Sequence, residues 1–364
     1  MSNKNIGIKD VAAAAGVSAT TVSHVLNDVS YARISQETRD KVRSAADRLG
    51  YGPNRLAQAL RTQRSGVLGL VSEDIATTPH AGRIILGADR TARARGYNLM
   101  IINTAASASR ESREADVETL LERRVDGILY ATMSHREVQV PANLGSVPAV
   151  LVDAVSITAV VPDEDGGGRA AVGILLAAGH THIGFLNSTD DVPATRERLR
   201  GFRAKLTEAG LDGAAAPVES EPSEVHGGYD AARRMLGRRN RPTGLFCFND
   251  RMAMGAYRAA AELGLAVPAD LSVVGFDDQE LIAANLHPGL TTVALPHYKM
   301  GAWATETLID AIEGKTDLSG LAVRPTTLDC PVVARRSVAP PPAVTTAGTD
   351  AAGMTAGVVR VATP

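Results

Sequence analysis

Polar residues stand at the ends of several apolar, strand-like runs. Asp153 closes PAVLVD, Asn249 and Asp250 follow GLFCF, and Asp277 and Asp278 follow LSVVGF; Arg198 lies near the start of the helical stretch ATRERLRGF. Carboxylates and a guanidinium at strand ends can bind hydroxyl groups in pairs, a chemistry suited to sugars. Taken singly, each reads equally well as a helix cap or a loop charge, and Asp250 reads best as the cap of the helix that follows it. Catalytic patterns are missing: the chain has no HExxH, no GxSxG and no Walker loop. Gly166–Gly168 does not fit GxGxxG and reads as a flexible helix start. His180 and His182 lack a nearby cysteine or third histidine, which argues against a metal. Cys247, between Phe246 and Phe248, reads as a core residue.

A second set of chemistry-bearing residues lies near the start of the chain. Ile8–Ala15 is an alanine-rich helical run ended by Gly16, which can take the left-handed conformation. Ser18 caps a second short helix, Ala19–Leu26, with Val22, Val25 and Leu26 on its apolar face. Ala19, Thr20, Ser23 and His24 are left on other faces, and Asn27 closes the helix. A third helix begins at Ser35, with Val42, Ala45, Ala46 and Leu49 spaced to cover the other two. Helix, glycine turn and capped helix is the geometry that lays a second helix in the major groove of DNA. A three-helix bundle that binds nothing has the same pattern.

The elements that must carry these groups follow from composition and periodicity. The 364 residues are 45% hydrophobic and 21% charged with two cysteines, as in a globular protein of a reducing, cytoplasmic compartment rather than a disulfide scaffold. No run is long enough to span a membrane, and MSNKNIGIKDVAAAAG lacks a signal-peptide core. The net charge of -2 conceals an asymmetry: residues 1–64 hold 10 Lys and Arg against 5 Asp and Glu, and the acidic excess lies in the rest. A basic head on an acidic body suits a polyanionic partner. From Ser65 to Ser337, strand-like runs alternate with helical stretches: VLGLV, Tyr97–Ile102, VDGILY, PAVLVD, HIGFLN, GLFCFN and LSVVGF are the strands, and Ile84–Arg95, Arg113–Arg124, Arg169–Ala178, Arg196–Ala209 and Asp250–Leu263 are among the helices. That alternation predicts two doubly wound parallel-sheet α/β lobes, with ligands beyond the carboxyl ends of the strands. Residues 338–364, rich in Ala, Pro, Thr and Gly, read as a disordered tail.

The motifs IKDVAAAAGVSATTVSHVLN, ETRDKVRSAADRLGY, PNRLAQALRTQRSGVLGLV, VDGIL, GHTHIGF, ERLRGF, RPTGLFCFNDRMAMGA, GLAVPADLSVVGFDD and ARRSV occur in one order that closely resembles the LacI (lactose-repressor) family of bacterial transcription regulators. The resemblance runs to about Ser337. It implies a helix-turn-helix domain at 1–53, a hinge helix and linker at 54–64, and a two-lobed effector-binding and dimerisation body at 65–337 resembling periplasmic binding proteins. The implied protein is a homodimeric repressor, with no cofactor, that binds a palindromic operator in double-stranded DNA. A global or nucleobase-responsive regulator is the alternative; a solute receptor of the same body fold is disfavoured by the basic head.

The same resemblance implies roles residue by residue. Ala19, Thr20 and His24 match positions that read base edges: a histidine donates to guanine, a threonine bonds an edge or phosphate, and an alanine touches a thymine methyl. Ser18, Thr21, Ser23 and Asn27 complete the implied DNA-contacting set of the head. Asn54, Arg55, Ala57, Leu60 and Arg61 match the hinge, with Leu60 as a minor-groove wedge and Arg55, Arg61 and Arg64 placed for phosphates. Ser72, His80, Asp153, Arg198, Asn249 and Asp277 match effector-binding positions, the effector being a sugar or sugar derivative. Departures from the family pattern include a longer loop, DVSYARIS, after the recognition helix, and His80 and Leu295 at positions where relatives carry an aromatic residue and glutamine. The site is therefore poor in stacking faces, and the identity of the effector does not transfer.

Overall fold

The computed structural model describes residues 6–27, 29, 32–51, 64–73, 81–105, 107–155, 158–321 and 324–342. The head is three helices: α1 (Ile8–Ala15), α2 (Ala19–Leu26) and α3 (Gln36–Leu49). Gly16 ends α1 at φ 65°, a left-handed conformation that suits a residue without a Cβ. Ser18 and Ser35 cap α2 and α3, each accepting from the backbone N–H three residues on. Val22 and Val25 are one turn apart, as are Val42 and the Ala45–Ala46 pair. They meet Val11 and Ala12 in a small core of their own.

The remaining chain folds into two compact units. The N-lobe carries β1 (Val67–Glu73), α4 (Ala81–Ala94), β2 (Asn98–Thr104), α5 (Arg110–Glu122), β3 (Gly127–Glu137), β4 (Ala149–Val155) and β5 (Ala159–Pro162). The C-lobe follows with α6 (Glu164–Ala177), β6 (Ile183–Ser188), α7 (Pro193–Glu208), β7 (Val218–Glu221), α8 (Val225–Leu236), β8 (Gly244–Cys247), α9 (Asp250–Glu262), β9 (Ser272–Asp277) and β10 (Thr291–Ala294). The chain then returns to the N-lobe for α10 (His297–Ile312) and β11 (Thr326–Leu328), and goes back to the C-lobe for β12 (Val332–Val333). The strand orders are β11-β5-β4-β3-β1-β2 in the N-lobe and β12-β10-β9-β8-β6-β7 in the C-lobe. Every pairing is parallel except that of β12 with β10. Helices that cross over between parallel strands leave the strands apolar on both faces, so that all of β6 and β8 is buried. Among the described residues, no helix is long and apolar enough to cross a membrane.

Two readings of the sequence need correction. Gly166–Gly168 is no flexible start: it lies inside α6, which begins at Glu164. A Cβ on Gly168 would sit 2.7 Å from the Arg198 carbonyl oxygen, so the glycine lets α6 and α7 meet at backbone distance. The tail also begins too early at 338. Val338 packs against the C-lobe core, and the Ala339 N–H donates to Ser272 Oγ (3.0 Å). The Ala339 carbonyl accepts from the Ser272 hydroxyl (3.0 Å) and from His180 Nε2 (2.9 Å). Burial lowers the His180 pKa, the Ala339 contact opposing it in part. A neutral ring with its proton on Nε2 then leaves Nδ1 to accept from Thr243 Oγ1 at 2.9 Å. Residues 343–364 lie outside the described residues.

These contacts set an expected result for truncation. A chain ending at 342 should melt as the full chain does. A chain ending at 337 loses three hydrogen bonds and the packing of Val338, about 2–4 kcal/mol at ~1 kcal/mol for each bond plus the apolar contact. Thermal denaturation of the two truncations checks this, and equal melting temperatures would return Val338 and Ala339 to the tail.

Candidate functional site

On α2, the buried Val22 and Val25 fix which side faces the head core. Thr20, Ser23, His24 and Asn27 follow the spacing i, i+3, i+4, i+7 and share the opposite stripe, with Thr20 exposed and the others half-exposed. Ala19 lies at the edge of that stripe. Two of the expected contacts have structural work as well: Asn27 Nδ2 donates to the Ser23 carbonyl at 2.7 Å, and Ser18 Oγ caps the helix through Thr21 N (3.0 Å) and shares a hydrogen bond with Thr21 Oγ1 (2.9 Å). The expected hinge contacts Asn54, Arg55, Ala57, Leu60 and Arg61, and the effector candidate His80, lie outside the described residues. Arg64 is described, and its guanidinium donates to the Ile312 carbonyl at 2.8 Å, a partner the phosphate reading did not include.

In the N-lobe, the register pairs Ser72 with Ala131 and Ala131 with Val152. Thr132 and Asp153 each follow that level by one residue, so Ser72 on β1, Thr132 on β3 and Asp153 on β4 lie within one residue of each other along the sheet. All three are buried. Thr132 Oγ1 donates to the Asp153 carbonyl at 2.6 Å, and the Ser72 hydroxyl makes no hydrogen bond among the described residues. Asp153 has φ 60°, a left-handed conformation that costs a residue with a Cβ roughly 1–3 kcal/mol.

In the C-lobe, the centre is Arg198 on α7. Nε and Nη2 donate to the two carboxylate oxygens of Glu164 at 2.6 and 3.2 Å, and Nη1 donates to the Phe248 carbonyl at 2.5 Å. Its guanidinium lies 3.7 Å from the centre of the Phe276 ring and 4.4 Å from that of Phe248. Asp277 Oδ1 is 3.7 Å from Nη1, and Asp277 Oδ2 accepts from Gln279 Nε2 at 2.9 Å. Burial opposes the charge on Arg198, but Glu164 and Asp277 outweigh it and its pKa is raised. Asp277, at the end of β9, has φ 103°, and Asp278 has φ 54°. Three of the carboxylates predicted at strand ends, Asp153 in one sheet and Asp277 and Asp278 in the other, are thus held in backbone conformations that favour glycine.

The cap role expected of Asp250 falls to Asn249. Asn249 is the cap of α9: its Oδ1 accepts from Met252 N at 2.8 Å and its Nδ2 donates to the Ser223 carbonyl at 3.0 Å. Asp250 is buried inside the first turn, accepting from Thr292 Oγ1 and Gln279 N, both at 2.7 Å. Its carboxyl is pushed up to about 8, first by burial and then by the charge of Asp277. Asp250 therefore ties α9 to β10 and to the Asp277–Gln279 turn. Glu164, the principal partner of Arg198, escaped the sequence reading. The only local sign was an acidic residue in the first turn of a helix, and its partner is 34 residues away. Among the described residues, no group of three or more His, Cys, Asp or Glu could hold a metal.

A helix-turn-helix head joined to two doubly wound lobes with polar strand ends defines a DNA-binding regulator built on a solute-receptor body. Family models agree on both parts: bacterial regulatory proteins of the lacI family match residues 7–54, and a periplasmic binding protein-like domain matches 172–338. The chain is 35% identical over 315 residues to the ribose operon repressor of Escherichia coli (strain K12), covering 85% of this chain and 94% of that one. It is 34% identical over 341 residues to the HTH-type transcriptional regulator DegA of Bacillus subtilis (strain 168), covering 92% and 98%. Among solved structures, the lac repressor dimer bound to operator and the anti-inducer ONPF superposes with a TM-score of 0.72 at 29% identity, covering 92% of this chain and all of that one. The complex of the transcriptional regulator CelR with cellobiose gives 0.63 at 29%, with the same coverage. The chain belongs to the LacI family of bacterial transcriptional regulators.

Proposed function

We propose that the protein is a cytoplasmic, homodimeric repressor that binds a palindromic operator and is controlled by a small hydroxylated effector, a sugar or sugar derivative. The head reads DNA through Ala19, Thr20, Ser23 and His24, supported by Ser18, Thr21 and Asn27. The hinge adds Asn54, Arg55, Ala57, Leu60 and Arg61, with Leu60 as the minor-groove wedge. The effector is held by Ser72, His80 and Asp153 of the N-lobe and by Arg198 and Asp277 of the C-lobe. Asn249, which also caps its helix, completes the effector-binding set. The observation that carries the effector reading is the shared left-handed conformation of Asp153 and Asp277 at the carboxyl ends of the two sheets. Backbone strain held at corresponding ligand-facing positions is a mark of function rather than of stability. The relatives supply the chemistry to try first, since one is named for ribose and another is solved with cellobiose.

A thermal-shift screen of pentoses, hexoses, disaccharides and nucleobases tests this reading. A ligand at 100 times its Kd stabilises the folded state by about 2.7 kcal/mol. We expect a sugar to raise the melting temperature of the wild type and to do so far less for Asp277→Asn. Each charge-assisted hydrogen bond is worth about 1.5–3 kcal/mol, so the variant should bind roughly tenfold or more weakly. An equal shift in both proteins would take Asp277 out of the site, and a shift given only by nucleobases would replace the sugar reading.

A further inference from the structure

From Arg64 onward the chain that follows the head is fixed at several points within the N-lobe. The Ser65 N–H and hydroxyl donate to Asp126 Oδ1 at 2.8 and 3.1 Å, and the Gly66 N–H donates to Asp126 Oδ2 at 2.8 Å. The Gly66 carbonyl in turn accepts from Asn98 N at 2.8 Å. One carboxylate thus holds two successive backbone N–H groups at the start of β1. Arg64 hydrogen-bonds the Tyr97 side chain and reaches across to donate to the Ile312 carbonyl, at the last residue of α10.

Helix α10 is an uncommon place to anchor. It begins at His297, where the chain crosses from the C-lobe back to the N-lobe, and ends at the residue Arg64 holds. Sixteen residues at about 1.5 Å each span roughly 24 Å. The helix is held tightly along its length. A Cβ on Gly301 would fall 2.1 Å from the Ile84 carbonyl oxygen, and one on Gly87 would fall 2.1 Å from that of Tyr298, so α4 and α10 touch at the backbone. Near its carboxyl end, Arg95 pairs with Glu306, Asp310 (3.0 Å) and Glu313 (2.7 Å).

We propose that Arg64 is a positioning residue for operator binding: it fixes the exit of the head connection on the carboxyl end of α10 without touching DNA. The proposal rests on the DNA-binding reading above and assigns Arg64 a role distinct from phosphate contact.

The test uses the full-length protein and a palindromic duplex that the wild type enriches from a randomised library. Operator affinity is measured across a salt series for wild type, Arg64→Ala and Arg64→Lys, with amide hydrogen exchange followed at 65–67 and 313–315. We expect Arg64→Ala to weaken binding about tenfold with an unchanged log–log salt slope, and to speed exchange in both segments. Arg64→Lys, which retains a donor for the Ile312 carbonyl, should restore most of the affinity and protection. Loss of one phosphate contact per protomer would instead lower the slope by about 0.9 each. A reduced slope, unchanged affinity or unchanged exchange in Arg64→Ala would each overturn the proposal. A wild type that enriches no duplex would instead bring down the DNA-binding reading, while the exchange measurement would still report on the anchor.

Discussion

Arg198→Ala should destabilise the C-lobe by about 3–5 kcal/mol, the cost of breaking a buried ion pair by removing one partner. Glu164 is buried, and Arg198 satisfies both of its carboxylate oxygens. Without the guanidinium, that charge has no counterion, the Phe248 carbonyl loses its donor, and the rings of Phe276 and Phe248 lose a cation between them. A loss of effector response in Arg198→Ala would therefore say little about ligand contact, and Asp277→Asn is the cleaner probe. Replacing both partners by apolar residues of similar size, Glu164→Leu with Arg198→Met, should recover much of the stability, because a buried pair contributes little net over well-packed apolar groups. Urea denaturation of the single and double variants checks this. A single variant as stable as wild type would show that the pair is not what holds α6 to α7.

The head was legible almost residue by residue. Gly16, Ser18 and Ser35 fall where the sequence places them, because caps and turns are set by contacts three or four residues apart. The alternation of strands and helices was legible for a similar reason, since apolar periodicity is local. The site was legible only as a set of positions. That Asp153 and Asp277 lie at or near the carboxyl ends of strands could be read from the chain, but not that both sit at positive φ. The shift of the cap from Asp250 to Asn249 turned on one residue of register: Asn249 remains extended at φ -146° and ψ 173°, and the helix starts at the aspartate behind it. The partnership of Arg198 with Glu164 and that of Arg64 with Ile312 join residues far apart in sequence, and no local pattern announces them. The hold of His180 on Ala339 is of the same kind, which is why composition alone assigned Val338 and Ala339 to the tail.

The central claim is that this chain grips DNA through a basic head presented in duplicate. Its most direct test is the affinity of the full-length protein for its enriched palindrome between 50 and 200 mM salt, beside a duplex carrying one half-site. Two heads that together neutralise six to ten phosphates should lose about 10³–10⁵ in affinity across that range. The half-sites should lie about one helical turn apart, and the single half-site should bind far more weakly. A flat salt response, or equal affinity for the single half-site and the palindrome, would contradict the account.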